Sequence, residues 1–142
     1  MKTVNIYTDG GSRGNPGPAA IGVFIESGGK TLAEIGETIG ETTNNFAEYS
    51  AVLRGLDFLL SSKDLLESAS NISFFMDSQL VSSQIKGTYK VKSSTLAELL
   101  LKIREKEAQI RIPIFYKFIP REKNKKADKL VNLALDNKLR VG

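Results

Sequence analysis

The chain has 142 residues, 41% of them hydrophobic, and a formal net charge of +4, which suits one domain over residues 1–142. It contains no cysteine, excluding disulfide scaffolds and thiolate metal sites, and no histidine, excluding serine–histidine and cysteine–histidine catalysis and imidazole-bound zinc. A metal here has to sit on oxygen ligands, which favours magnesium, manganese or calcium, and a protein-supplied base has to be a carboxylate, lysine or tyrosine.

The first residues, MKTVNIYTDG, lack the apolar run of a secretory signal, and nowhere does the sequence approach the length of a membrane span. A soluble chain in the cytoplasm with no membrane partner is expected. The mild positive charge hints at a polyanionic partner.

In chain order, residues 2–8 alternate through Val4 and Ile6 and read as a strand. YTDGGSRGNPGP follows, a stiff glycine-lined loop with Asp9 at its mouth. Residues 19–26 and 31–39 read as two further strands joined by a hairpin turn at Ser27–Gly28–Gly29–Lys30. In TTNNFAEYSAVLRGLDFLLSS, Tyr49, Val52, Leu53, Leu56, Leu59 and Leu60 fall at helical spacing, with Asn45 as the expected cap and Glu48 three residues on. Residues 71–76, NISFFM, have no polar face, which is the pattern of a strand buried on both sides in the parallel part of a sheet. A short helix is expected over residues 78–86, ended by Gly87, and a longer amphipathic one over 93–108. Residues 110–119 read as an edge strand because of Pro113. The last helix is expected over 124–138, with Ala127, Leu130, Val131, Ala134 and Leu135 as one apolar stripe. The order β-β-β-α-β-α-α-β-α makes an antiparallel meander extended by parallel strands through helical crossovers.

Four acids stand at element junctions: Asp9, Glu48, Asp77 and Asp128. Each alone has an ordinary explanation as a turn residue, a capping residue or a partner of a helix dipole. Together they point elsewhere. If the first and the buried strand are parallel neighbours, Asp9 and Asp77 share the rim where open α/β sheets bind ligands. Two carboxylates about 4 Å apart repel by roughly 1 kcal/mol even in water, and a cation between them relieves it.

The blocks YTDGGSRGNPGPAAIGVFI, TTNNFAEYSAVLRGL, FFMDSQLV and PREKNKKADKLVNLAL resemble the four signature blocks of type 1 ribonuclease H, in that family's order and over nearly the whole chain. The resemblance implies an α/β fold with a mixed five-stranded sheet, three antiparallel then two parallel strands, and helices on both faces. It implies an endonuclease that hydrolyses the RNA strand of RNA–DNA hybrids with two Mg2+ ions, Mn2+ being an alternative, and leaves 5′-phosphate and 3′-hydroxyl ends; a monomer is expected, although the sequence does not itself reveal the oligomeric state. It carries the metal-binding, catalytic acids onto Asp9, Glu48, Asp77 and Asp128, and the hybrid contacts onto Gly11, Ser12, Asn15, Asn44, Asn45 and Gln79. Gly10, Gly11 and Gly14 would then let a nucleic-acid backbone approach. Amides suit a minor groove lined with 2′-hydroxyls, because both partners donate and accept.

Two departures stand out. The family often has a histidine ten residues before the last acid; here that place holds Phe118, and Lys117 and Glu122 are both candidates to substitute, with nothing in the sequence to choose between them. The basic handle of some members is also missing, leaving a short patch of Lys86, Tyr89, Lys90 and Lys92 that either touches DNA phosphates or is merely solvated. Arg121, Lys123, Lys125 and Lys126 gather near Asp128 in sequence, where they could hold phosphate.

Rival expectations are weaker. Gly29–Lys30–Thr31 imitates the end of a phosphate-binding loop, but the glycine needed five residues earlier is Phe24. A non-catalytic hybrid-binding module would keep the groove and lose an acid. Transposases, integrases and junction resolvases share the sheet and the acid pattern, and would cut duplex DNA.

Overall fold

The computed structural model describes residues 2–137. Three strands open the chain: β1 (Lys2–Ser12), β2 (Gly17–Ser27) and β3 (Lys30–Thr42). They pair antiparallel in sequence order. The β2–β3 hairpin turns through Gly28 and Gly29, both at positive φ (58° and 77°), as a two-residue turn between twisted strands requires. Then come α1 (Asn44–Leu60), α2 (Lys63–Ser68) and β4 (Ala69–Met76), which lies parallel to β1. The chain continues through α3 (Gln79–Lys86) and α4 (Ser94–Ala108) to β5 (Ile114–Phe118), parallel to β4, and ends with α5 (Lys125–Leu135). The sheet order is β3-β2-β1-β4-β5, so β1 and β4 are central and β5 is the expected edge.

Helices cover both faces. On one, Val4, Ile6, Val23, Ile25, Ile72 and Phe74 pack against Tyr49, Val52, Leu56 and Leu59 of α1, with α3 and α4 adding Ile85 and Ile103. On the other, Ala20 packs against Val131 and Ala134 of α5. Burial of this apolar surface, at about 25 cal/mol per Å2, is what holds helices to sheet.

Several boundaries differ from expectation. β1 runs four residues further than its alternating pattern, through Asp9, Gly10, Gly11 and Ser12, because these pair with residues 19–22 of β2. Most of the glycine-rich segment is therefore strand, and only the turn between Ser12 and Gly17 remains a loop. The cap of α1 is Thr43, whose hydroxyl accepts the Phe46 N–H, and not Asn45. α2 was not expected at all. β5 begins at Ile114 rather than residue 110; Ile110 is buried in the core instead, and the Pro113 carbonyl accepts the Ile72 N–H. α5 ends at Leu135, and Lys138 lies outside the described residues.

Candidate active site

The β1–β4 ladder pairs Tyr7 with Phe75, so two residues further along each parallel strand Asp9 and Asp77 emerge side by side. Glu48 reaches them from the first turns of α1. This is possible because of Gly10: a Cβ there would lie 2.2 Å from the backbone of Ala47, so only glycine lets the helix press directly on the strand. The Gly10 N–H then donates to Oε1 of Glu48 at 3.1 Å. Gly10 thus serves internal packing, and it also lines the cleft. Glu48 likewise completes no capping box.

Asp9, Glu48 and Asp77 each bring a carboxylate oxygen within 4.8 Å of the others. Asp9 and Glu48 are nearly buried, at 7% and 8% exposure. Burial raises the pKa of Asp9 far above the usual carboxylate range, and the charges of Glu48, Asp77 and Asp128 push it further. Glu48 is also raised, chiefly by burial and against hydrogen bonds from Asp9 and Gly10; Asp77 adds to the rise and the Arg121 guanidinium opposes it. The pair holds a proton that exposed acids would lose. This compact oxygen-only donor set is suited to a hard divalent cation, which would replace that proton. Asp128, exposed in the first turns of α5, lines the same cleft but stands outside the tight trio.

The cleft has a volume of about 420 Å3. Gly11, Ser12, Asn44 and Asn45 line it beside the four acids. Oδ1 of Asn44 accepts both the backbone N–H (2.8 Å) and the hydroxyl (3.0 Å) of Ser12, and the Asn44 N–H donates to Oδ1 of Asn15 at 3.0 Å. Asn15 therefore supports the wall without forming it. Gln79 is exposed at the start of α3, next to Ser78 of the lining but not part of it.

Of the basic run before Asp128, only Arg121 faces this cleft. Lys123, Lys125 and Lys126 border a separate hollow with Tyr7 and Phe24, and the Lys126 ammonium sits 4.4 Å over the Phe24 ring. Phe118 ends β5 with its Cα paired to Met76, 46% exposed. Arg13, also on the lining, is held by Asp136 at 2.6 Å. Two residues belong to the site more closely than their sequence suggested. Arg121 is one, since charge alone does not separate it from its lysine neighbours. Asn124 is the other: placed by sequence in the last signature block and at the start of the last helix but with no role of its own, it is buried and donates from Nδ2 to Oδ2 of Asp77 at 3.0 Å.

The family described as reverse transcriptase-like matches residues 7–134. The chain is 41% identical over 138 residues to a bifunctional protein of Mycobacterium tuberculosis, spanning 96% of this chain but only 36% of that protein's length. To the ribonuclease HI of Halobacterium salinarum it is 39% identical over 135 residues, 94% of this chain and 65% of the relative. Among solved structures, LC11-RNase H1, isolated from compost by a metagenomic approach, matches with a TM-score of 0.91 at 48% identity, covering 99% of this chain and 100% of that one. The same LC11-RNase H1 in complex with an RNA/DNA hybrid matches with a TM-score of 0.89 at 47% identity, over 96% and 99% of the two chains.

Proposed function

The chain belongs to the type 1 ribonuclease H (ribonuclease HI) family, and from that premise we propose that it hydrolyses the RNA strand of RNA–DNA hybrids, leaving 5′-phosphate and 3′-hydroxyl ends. The observation that carries this reading is the convergence of Asp9, Glu48 and Asp77 at the end of the two central strands. Asp128 completes the set from α5. Together the four would hold two divalent cations, Mg2+ or Mn2+. When bound there, such cations would supply Lewis acidity for deprotonating the attacking water and for offsetting charge on the leaving oxygen.

The remaining residues bind and orient. Because the oxygen of Asn44 is committed to Ser12, its Nδ2 is left to donate into the cleft, toward an acceptor such as a ribose 2′-oxygen. Gly11, Ser12 and Asn45 would contact the hybrid directly, Gln79 from the rim, and Asn15 by holding Asn44 in place. Recognition through the sugar implies weak sequence preference. Arg121 offers a guanidinium to a phosphate at the acidic end of the cleft.

The test is to incubate the protein with a labelled hybrid duplex in Mg2+ and in Mn2+, and to read the ends of any RNA fragments. Binding without RNA cleavage in either metal would leave a hybrid-binding module. Cleavage of duplex DNA in preference to the hybrid would move the chain to another nuclease class of the same fold. In cells, a cytoplasmic location is proposed; among the described residues, no helix is long and apolar enough to cross a membrane.

A further inference from the structure

Asn124 is 1% exposed, yet the last helix does not use its side chain as a cap. Its Nδ2 donates twice, to the Thr8 carbonyl at 2.9 Å and to Oδ2 of Asp77 at 3.0 Å. Its backbone carbonyl accepts the Asp128 N–H at 3.1 Å. Its own Oδ1 is buried without any hydrogen-bond partner. A buried, unpaired acceptor is costly, and a leucine of similar volume would avoid it. The two N–H donors are what a leucine could not supply.

Those contacts fall on three separate pieces of chain, each bearing an acid. Thr8 directly precedes Asp9 on β1, Asp77 follows β4, and Asp128 lies one turn into α5. Resting on the metal site proposed above, we propose that Asn124 is the positioning residue that sets the spacing of the metal carboxylates, by clamping the ends of β1 and β4 to each other and to the start of α5. An amide holds its two N–H groups in one plane at a fixed angle, so satisfying both acceptors fixes their separation. Engaging Oδ2 of Asp77 also orients that carboxylate and leaves its other oxygen to act as ligand. Losing a hydrogen bond that aims a ligand in this way typically costs about 10–100-fold in metal affinity.

The experiment is calorimetric titration of Mn2+ into the protein without nucleic acid, for the wild type, Asn124→Leu and Asn124→Ala, beside thermal melts and steady-state kinetics on a hybrid. Both variants are expected to melt cooperatively and to bind Mn2+ about tenfold or more weakly, with KM for the hybrid within about twofold of wild type. Their turnover at low metal should fall and should recover in part as metal is raised. A folded variant with wild-type Mn2+ affinity would overturn the proposal. A second readout needs no variant. In the wild type, the Asn124 side-chain amide resonances should shift on Mg2+ titration with the calorimetric midpoint, and a resonance indifferent to Mg2+ would overturn the proposal equally. Should the wild type bind no Mn2+ at all, the metal reading falls and this one with it; unchanged binding in the variants sinks this one alone.

Discussion

Asp9 is nearly buried and faces three other acids, so its ionisation is the most costly of any side chain in the cleft. Its pKa and that of Glu48 are raised in the fold. The metal-free folded protein therefore keeps protons that the unfolded chain has lost, and its stability falls as pH rises from the ordinary carboxylate range near 4 through the raised values. Melting temperature without metal should drop between about pH 5 and about pH 8, and saturating Mn2+ should flatten that drop. Replacing Asp9 by Asn should abolish cleavage while stabilising the metal-free protein by roughly 1–3 kcal/mol near pH 8. A destabilised variant in the melt would contradict the burial argument, and wild-type cleavage would remove Asp9 from the metal site. Asp77→Asn should lose cleavage likewise. The exposed end of β5, beside the strand that leads into Asp77, gives Phe118→His room to handle a proton. Turnover should then rise by about tenfold, read as kcat on a hybrid, and an unchanged kcat would deny that position such a role. The meeting of Asp9 and Asp77 was legible in the sequence because each closes a strand that reads as a neighbour of the other. Arg121 was not separable from Lys123, Lys125 and Lys126, because which way each points depends on the turn before α5.

At the scale of elements, the decisive contact is α1 against β1 at Gly10. Gly10→Ala would push a methyl into the Ala47 backbone, which has no rotamer to yield. A cost of about 3 kcal/mol or more is expected, read by denaturant unfolding. Any folded fraction should bind Mn2+ more weakly, since Glu48 moves with its helix. The periodic helices and the buried strand β4 were legible because their apolar patterns are set by the faces they cover. The extension of β1 was not: Asp9–Ser12 is strand only because β2 pairs with it, and glycines give no alternating signal of their own. α2 was missed for the same kind of reason, since none of its six residues is buried and it leaves no apolar stripe to read. The cap of α1 lies at Thr43 although Asn45 is followed by a well-placed glutamate, because that glutamate is drawn away to the Gly10 N–H.

At the scale of the molecule, a net charge of +4 surrounds an acidic cleft that Arg13 and Arg121 line, so basic residues further from the acids would add to the binding of a polyanion. Lys86, the last residue of α3, and Lys90 and Lys92 beyond it are exposed. If they meet DNA phosphates, changing all three to Gln should raise KM and lower the slope of log affinity against log salt by up to about three units, kcat being unchanged. A slope equal to wild type would mark the patch as merely solvated. The sheet order was legible because a strand apolar on both faces belongs inside, next to the first strand; this places Asp9 and Asp77 together without any side-chain detail. That adjacency also governs when the cleft comes into existence. β1 leaves the ribosome first among the strands, but its neighbour β4 emerges more than fifty residues later, and Asp128 more than fifty after that. The acids of the cleft therefore come together only after the segment carrying Asp128 has been made, so the cleft cannot assemble from the opening strands alone.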